Sequence, residues 1–506
     1  MKRQFIYMLF VLAGAVGLTS CENWLDETSH SEIRDEDHFS TEEGFRQSLI
    51  GCYINMTDES LYGKELSWGM VEMLGRQFQP YTTYASTTNY QLQNYNYKHS
   101  TTVSRVEGVW AKAYNVIANA NIALAEIDNR KAVLDPTNYS VFKGEFLAIR
   151  AYMHFELMRL FGYGDWANRK AEIDAKYAVP YVTTVTKNTT EQVKTSEFFK
   201  LLIADLEAAA TYLQEDPLTG KHDWSWYEDL NSDGFYNFRN LHLNYYAVKA
   251  LQARVYMWEG SPDSKAKALV AATEVIDNYF AKSGKLGDYN YMRWMGDADY
   301  SNYPAMAMEQ IFALNVNGER FTSLTSSYLK TSFLDTDEDV YYISTSDTYD
   351  IYENSNTDYR FVKLLQAHLD GTRTGYLPLK LQQKEGGNKN YGYRVALMRM
   401  PEMYYIAAEC HLANNDANDV KEALNLLTVV RNQRGVYEEL DATMTAEEAM
   451  EEIRKEYRKE FLLEGVMFYY YKRMGIDLLP NREESMTDAE YVLPYPEFEL
   501  QNGRIQ

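Results

Sequence analysis

Aromatic rings are the chemistry this chain holds most of: 43 tyrosines and 8 tryptophans beside 21 phenylalanines. A core has no use for so many hydroxyls. Many of these rings are therefore expected half-exposed, where a flat apolar face and a polar tip can meet a ligand together. They crowd in polar stretches. Tyr81, Tyr84, Tyr90, Tyr95 and Tyr97 fall within seventeen residues, among Asn, Gln and Thr side chains able to supply hydrogen bonds. Tyr289, Tyr291, Trp294, Tyr300 and Tyr303 form a second group, and Tyr341, Tyr342, Tyr349 and Tyr352 follow it. Of all these, Tyr81, Tyr84, Tyr90, Tyr291 and Trp294 are the candidate ligand contacts.

Other chemistries are poorly supplied. The histidines (30, 38, 99, 154, 222, 242, 368 and 411) show neither an HExxH pair nor a zinc spacing, and there is no G-x-S-x-G and no Gly-rich phosphate loop. Among 73 acidic residues some pair will stand at a glycosidase separation by chance, so their number says nothing about hydrolysis. Asp229, Asn231 and Asp233 have the D-x-N-x-D-G spacing that opens a calcium loop, but Asn240 stands where a bidentate Glu is wanted. A plain turn is the expectation. No cofactor is expected, with calcium the single weak candidate. Cys52 and Cys410 each lie on a helical apolar stripe and are expected to be free, buried and inert.

Helices must position these groups. Residues 400–436 show it best: Met403, Ile406, Ala407 and Cys410 recur at helical spacing, Asn414-Asn415-Asp416 breaks the pattern, and Val420, Ala423, Leu424, Leu427 and Val430 resume it. That is an αα-hairpin of tetratricopeptide type with an alanine-rich contact face. Further helices are expected over Val106–Asn129, Ser140–Phe161, Ser196–Leu213, Leu243–Glu259, Ser264–Phe280 and Ala446–Met474. Ser40 is expected to cap a helix carrying Phe45, Leu49, Cys52, Tyr53 and Met56, with Glu43 completing a capping box. From Gly75 to Thr102 and from Gly284 to Arg394 the helical period is lost, apart from one alternating run at Ile311–Val316 that reads as a strand.

The first twenty residues place two cations before a short apolar run and end Leu18-Thr19-Ser20-Cys21, the pattern of a secretory leader closing in a lipobox. Cys21 is the expected lipidation site, and attachment to the membrane is expected through that anchor alone. Formal charge is −23; loss of Lys2 and Arg3 with the leader makes it −25. So acidic a chain is poorly suited to nucleic acid or an anionic bilayer as its main partner. The organisation expected is leader 1–20, tether 21–39, a helical part 40–280 and a second part 281–506, the last two packed as one unit.

Several blocks, taken in order, resemble the SusD/RagB family of surface nutrient-binding lipoproteins of Bacteroidetes. They are the lipobox at Cys21; Trp110, Tyr114 and Asn119; GEFLAIRAYMHFELMRLFG at 144–162; VPYVTT at 179–184; IADLEAAATYL at 203–213; AVKALQARVYMWEG at 247–260; EMYYIAAEC at 402–410; LNLLTVVRNQRG at 424–435; EYRKEFLLEG at 456–465; and LPYPEFEL at 493–500. One departure is clear: Met467 and Tyr470 stand where the family usually has Arg and Asp.

The resemblance implies a mainly α fold: a right-handed scaffold of tetratricopeptide-like hairpins with an irregular, loop-rich ligand face and a few short strands. It also implies capture of oligosaccharides, or peptides, without catalysis. The partner it implies is a SusC-like TonB-dependent barrel, and the place is the outer membrane, facing the cell exterior. The competing readings are a helical scaffold that binds only proteins and, less favoured, a surface glycoside hydrolase.

Overall fold

The computed structural model describes residues 37–79, 88–287, 290–303, 305–335, 337, 339–369, 371, 373–383, 391–413, 416–502 and 505. The leader, Cys21, Tyr81 and Tyr84 lie outside them. Ten of the described helices carry the argument: α1 (Glu42–Met56), α2 (Ser100–Ile127), α3 (Pro136–Phe161), α4 (Thr195–Tyr212), α5 (Tyr245–Glu259), α6 (Pro262–Ser283), α7 (Met400–Leu412), α8 (Ala417–Gln433), α9 (Ala446–Glu460) and α10 (Met467–Met474). From α1 to α9 each packs on the next, so the apolar stripe of every helix is covered by its neighbours. The turns follow local chemistry. Asp135 caps α3 with Pro136 at its first position; Gly260, at φ +71°, ends α5, and Ser261 and Pro262 start α6 at once.

One hydrophobic cluster runs from Phe39 to Ile505 and includes residues of both halves of the chain. Strand β1 (Gln310–Asn315) pairs antiparallel with β5 (Arg394–Arg399), and β2 (Ile343–Ser344), β4 (Gly375–Pro378) and β3 (Leu365–His368) form a small antiparallel sheet in that order. Cys52 and Cys410 are free and buried, and burial pushes both thiols up to about 12, which keeps them protonated. No helix among the described residues is long and apolar enough to cross a membrane.

The charged residues inside this stack are struts between helices. Glu145 of α3 takes Arg239 at 2.7 Å, His242 at 2.9 Å and the Tyr53 hydroxyl of α1. Burial opposes its ionisation, but Arg239 and His242 outweigh that and bring the Glu145 carboxyl down to about 2. Arg150 of α3 holds Asp205 of α4 bidentately, and Arg254 of α5 holds Glu402 of α7. Glu460 of α9 accepts from Arg399 at 2.6 Å, Arg434 at 2.8 Å and Arg360 at 3.2 Å, all of them fully buried. Residues 493–499 close the stack: Tyr495 stacks on Phe161, both rings meet Trp110, and the Trp110 indole donates to Glu499 at 3.2 Å.

Three local expectations are corrected. The cap of α1 is Thr41, which accepts the Gly44 amide, while the Ser40 hydroxyl donates to the Asp37 carbonyl. Phe39 is not part of an extended tether; it is buried against Phe45. The single helix expected over Ala446–Met474 is two, α9 and α10. Between them Leu463 and Gly465 take φ of +63° and +66°, and the buried Glu72 carboxylate accepts both their amides at 2.9 Å. A Cβ on Gly465 would lie 2.6 Å from the Ser67 carbonyl oxygen, so backbone contact as well as conformation requires glycine there.

Candidate functional site

Two of the aromatic stretches meet at one hydrogen bond: the Gln79 amide donates to the Tyr342 carbonyl at 2.9 Å. Arg76 anchors this root by donating to the carbonyls of Gln93, Pro480 and Asn481. Tyr342 lies just before β2 and packs on Phe333; Phe333 in turn stacks on His368 of β3 at 4.1 Å, and the Arg373 guanidinium covers both Phe333 and Tyr342. Burial raises the Tyr342 phenol above its ordinary value.

The other side of the small sheet carries a second set of rings. Residues alternate faces along a strand, so Tyr376 of β4 points away from Leu377 and faces the helix Thr345–Ile351. The Tyr349 hydroxyl on that helix stands 3.3 Å from the Tyr376 hydroxyl, and Phe361 packs between the two rings and Tyr352. The hydrogen bond from Tyr349, with burial second, pushes the Tyr376 phenol up to about 12. Tyr349 is 39% exposed. Asp347, two residues earlier on the helix, accepts from Asn481 at 3.3 Å. Rings, amides and a carboxylate thus line one rim built on short rigid elements. Such a rim can stack on flat apolar faces and hydrogen-bond to hydroxyls.

The candidates named from sequence are scattered. Tyr90, on the helix Thr88–Gln93, is half-buried against the core. Its neighbours Tyr95 and Tyr97 are buried, with hydroxyls donating to the Leu74 and Glu490 carbonyls. Tyr291 is 45% exposed beside Gly284. Trp294 is half-buried between Phe280 of α6 and Tyr404 of α7, under the Arg434 guanidinium. None of these contacts joins Tyr291 or Trp294 to Tyr342 or Tyr349. Tyr376, Phe361, Phe333, His368 and Arg373 escaped sequence reading. Strands of four residues leave little period to detect, and the alternation at Tyr376-Leu377 was the one available sign.

The Asp229–Asp233 segment is a turn in which Asn231 and Asp233 are engaged by the chain itself. Asn231 accepts the Tyr236 amide, and Asp233 accepts the Phe235 amide and pairs with Arg46 at 2.9 Å. Among the described residues no group of three or more His, Cys, Asp or Glu is placed to hold a metal. A groove of about 320 Å³ lies beside Trp110, Tyr114 and the loop 184–190. Trp110 is buried at its base and offers no open ring face.

The family model described as "SusD family" matches residues 229–501. The chain belongs to the SusD family. A second model, described as "Starch-binding associating with outer membrane", matches residues 23–257. Two SusD-like proteins of Formosa agariphila are 26% identical to this SusD family chain. One aligns over 28% of this chain and 28% of its own length, the other over 42% and 38%. The chain thus spans well under half the length of these relatives. Among solved structures, a SusD superfamily protein of Bacteroides thetaiotaomicron is similar over 92% of this chain and 99% of its own, at TM-score 0.69 and 20% identity. A SusD-like carbohydrate binding protein of Bacteroides vulgatus is similar over 92% and 97%, at TM-score 0.68 and 17% identity. These likenesses show that the helical stack with few short strands is the SusD fold. The ionic struts lie within the blocks whose resemblance was read from sequence: Glu145, Arg150, Asp205, Arg254, Glu402, Arg434 and Glu460 all fall in them. Met467 and Tyr470 are buried, and the Tyr470 ring packs on Tyr457 at 4.5 Å with Arg473 over it, so an apolar contact occupies those positions.

Proposed function

We propose that this chain is a surface lipoprotein, anchored through Cys21 in the outer membrane and facing outward. It captures oligosaccharide, or peptide, and passes it to a SusC-like TonB-dependent barrel without chemical change. Family membership and the starch-binding description of the second matching model support the ligand class. The observation that carries the reading is the rim of Tyr349 and Tyr376, backed by Phe361, with Asp347 and Asn481. Its rings are fixed by packing before any ligand arrives, so binding orders few torsions. An open, wet rim of this kind binds weakly, on the order of micromolar to millimolar.

The reading without catalysis rests on SusD family membership, and three buried acids with displaced pKa serve the scaffold. Glu145 and Glu456 are brought to about 2, against the opposing effect of burial, by Arg239 and Arg360 respectively, and both are buried and fully engaged. Glu72, raised to about 7 by burial, has both oxygens on backbone amides. None of the three is free to reach a substrate.

A glycan and peptide array probed with residues 22–506, followed by product analysis of the retained ligands, tests the proposal. Retention with intact ligand is the expected result. Product formation overturns it in favour of a hydrolase, and retention of no glycan or peptide by a chain that still binds its transporter overturns it in favour of a protein-binding scaffold.

A further inference from the structure

Among the tryptophans of the described residues Trp226 stands apart. Trp68, Trp110, Trp166 and Trp258 are buried, Trp224 and Trp294 are half-buried, and Trp226 is 54% exposed. It sits on the short helix Trp224–Glu228, in the connection between α4 and α5. Its orientation is fixed from two directions. One face lies on the His222 ring, centroids 4.5 Å apart and planes within 11°. The indole N–H donates to the Thr137 hydroxyl at the start of α3, at 3.2 Å. His222 is itself held by Glu215 at 2.8 Å, and the adjacent Tyr227 is buried with its hydroxyl on the Glu215 carbonyl. A ring with one face stacked, its N–H bonded and more than half its surface in water presents its second face to solvent.

We infer that Trp226 is a second saccharide platform, separate from the Tyr349–Tyr376 rim, which takes the apolar face of a neutral pyranose. The axial C–H groups of such a ring carry partial positive charge and lie well on the electron-rich face of an indole. A rotating side chain would lose torsional freedom on stacking; this one has already lost it to His222 and Thr137. The residues beside it in the chain, Asp223, Ser225 and Glu228, are exposed and polar, suited to the hydroxyl rim of a sugar rather than to the apolar surround of a protein contact. The ligand class rests on the proposed function; the place rests on the geometry of Trp226 alone.

The test uses the full chain, its W226A and W226F variants, and the double variant Y349A/Y376A. The probes are the methyl glycosides of glucose, mannose and galactose in both anomers, and soluble starch. Tryptophan emission should change saturably with at least one glycoside in the wild type and in Y349A/Y376A, and not in W226A. On an affinity gel containing the polysaccharide, W226A should lose about three- to tenfold in retention and W226F much less. No emission response to any glycoside, or the same response in W226A, overturns the inference. A response that survives in Y349A/Y376A while that variant keeps full wild-type retention instead overturns the site assigned to the proposed function and leaves this one standing. Because more than half of Trp226 is exposed, both substitutions should lower the melting temperature only slightly, through the lost His222 stack or Thr137 hydrogen bond.

Discussion

The hydroxyls of Tyr349 and Tyr376 stand 3.3 Å apart at the edge of the small sheet, one from a helix and one from a strand. Tyr349 is exposed and Tyr376 lies half-buried at the margin of the main core, and together they give the rim its width. Replacing both by Ala should weaken ligand retention by about tenfold or more while the melting temperature moves little, since stacking contributes roughly 0.5–1.5 kcal/mol per ring. Replacing both by Phe should retain most of the affinity. Calorimetric titration against a ligand found by array measures this. Wild-type affinity in the Ala pair would move the site elsewhere.

Trp294 behaves differently because it is wedged between Phe280 and Tyr404. Trp294→Ala should cost about 1–3 kcal/mol of stability through lost packing. A urea unfolding curve measures it. A variant as stable as wild type would show that the ring is free for ligand rather than part of the wall between α6 and α7.

Glu460 should be intolerant of neutralisation. Its carboxylate answers three buried guanidiniums, and Glu460→Gln leaves them undercompensated at a cost of about 3–5 kcal/mol. Loss of soluble protein, or a denaturation midpoint far below wild type, is the expected outcome. A midpoint close to wild type would mean that the charges are satisfied by groups outside this hub.

Glu72 supplies a pH dependence of definite sign. Burial raises its pKa from 4.5 to about 7, so the native state holds a proton there that the unfolded chain has already released. Its contribution is complete below pH 4.5, declines as pH rises and is lost by about pH 7, a span of about 3 kcal/mol. Wild type should therefore lose melting temperature relative to Glu72→Gln as pH rises from 4.5 to 7. A difference that stays constant across that range would show that Glu72 is already ionised at its lower end.

The helical stack was readable because its information is local. Met403, Ile406 and Ala407 keep one face, as do Val420, Ala423 and Leu427, although α3 starts at Asp135-Pro136, four residues before the expected Ser140. The break after Glu460 was not readable, because the group that satisfies its amides is Glu72, nearly the whole chain away, while the apolar stripe runs on from Tyr457 to Tyr471 as if uninterrupted. The rim was half readable. Tyr349 lies in the aromatic crowd, but its partners Tyr376 and Phe361 gain meaning only once strands of two to four residues are paired. The charged residues of the resembling blocks proved to be struts, which is why those blocks disclose the scaffold and say little about the ligand.

The clasp of Tyr495 on Phe161 and Trp110 ties a residue late in the chain to two helices of its first third. Those helices therefore owe part of their shelter from water to a segment more than three hundred residues away, and cutting that segment off would bare both rings.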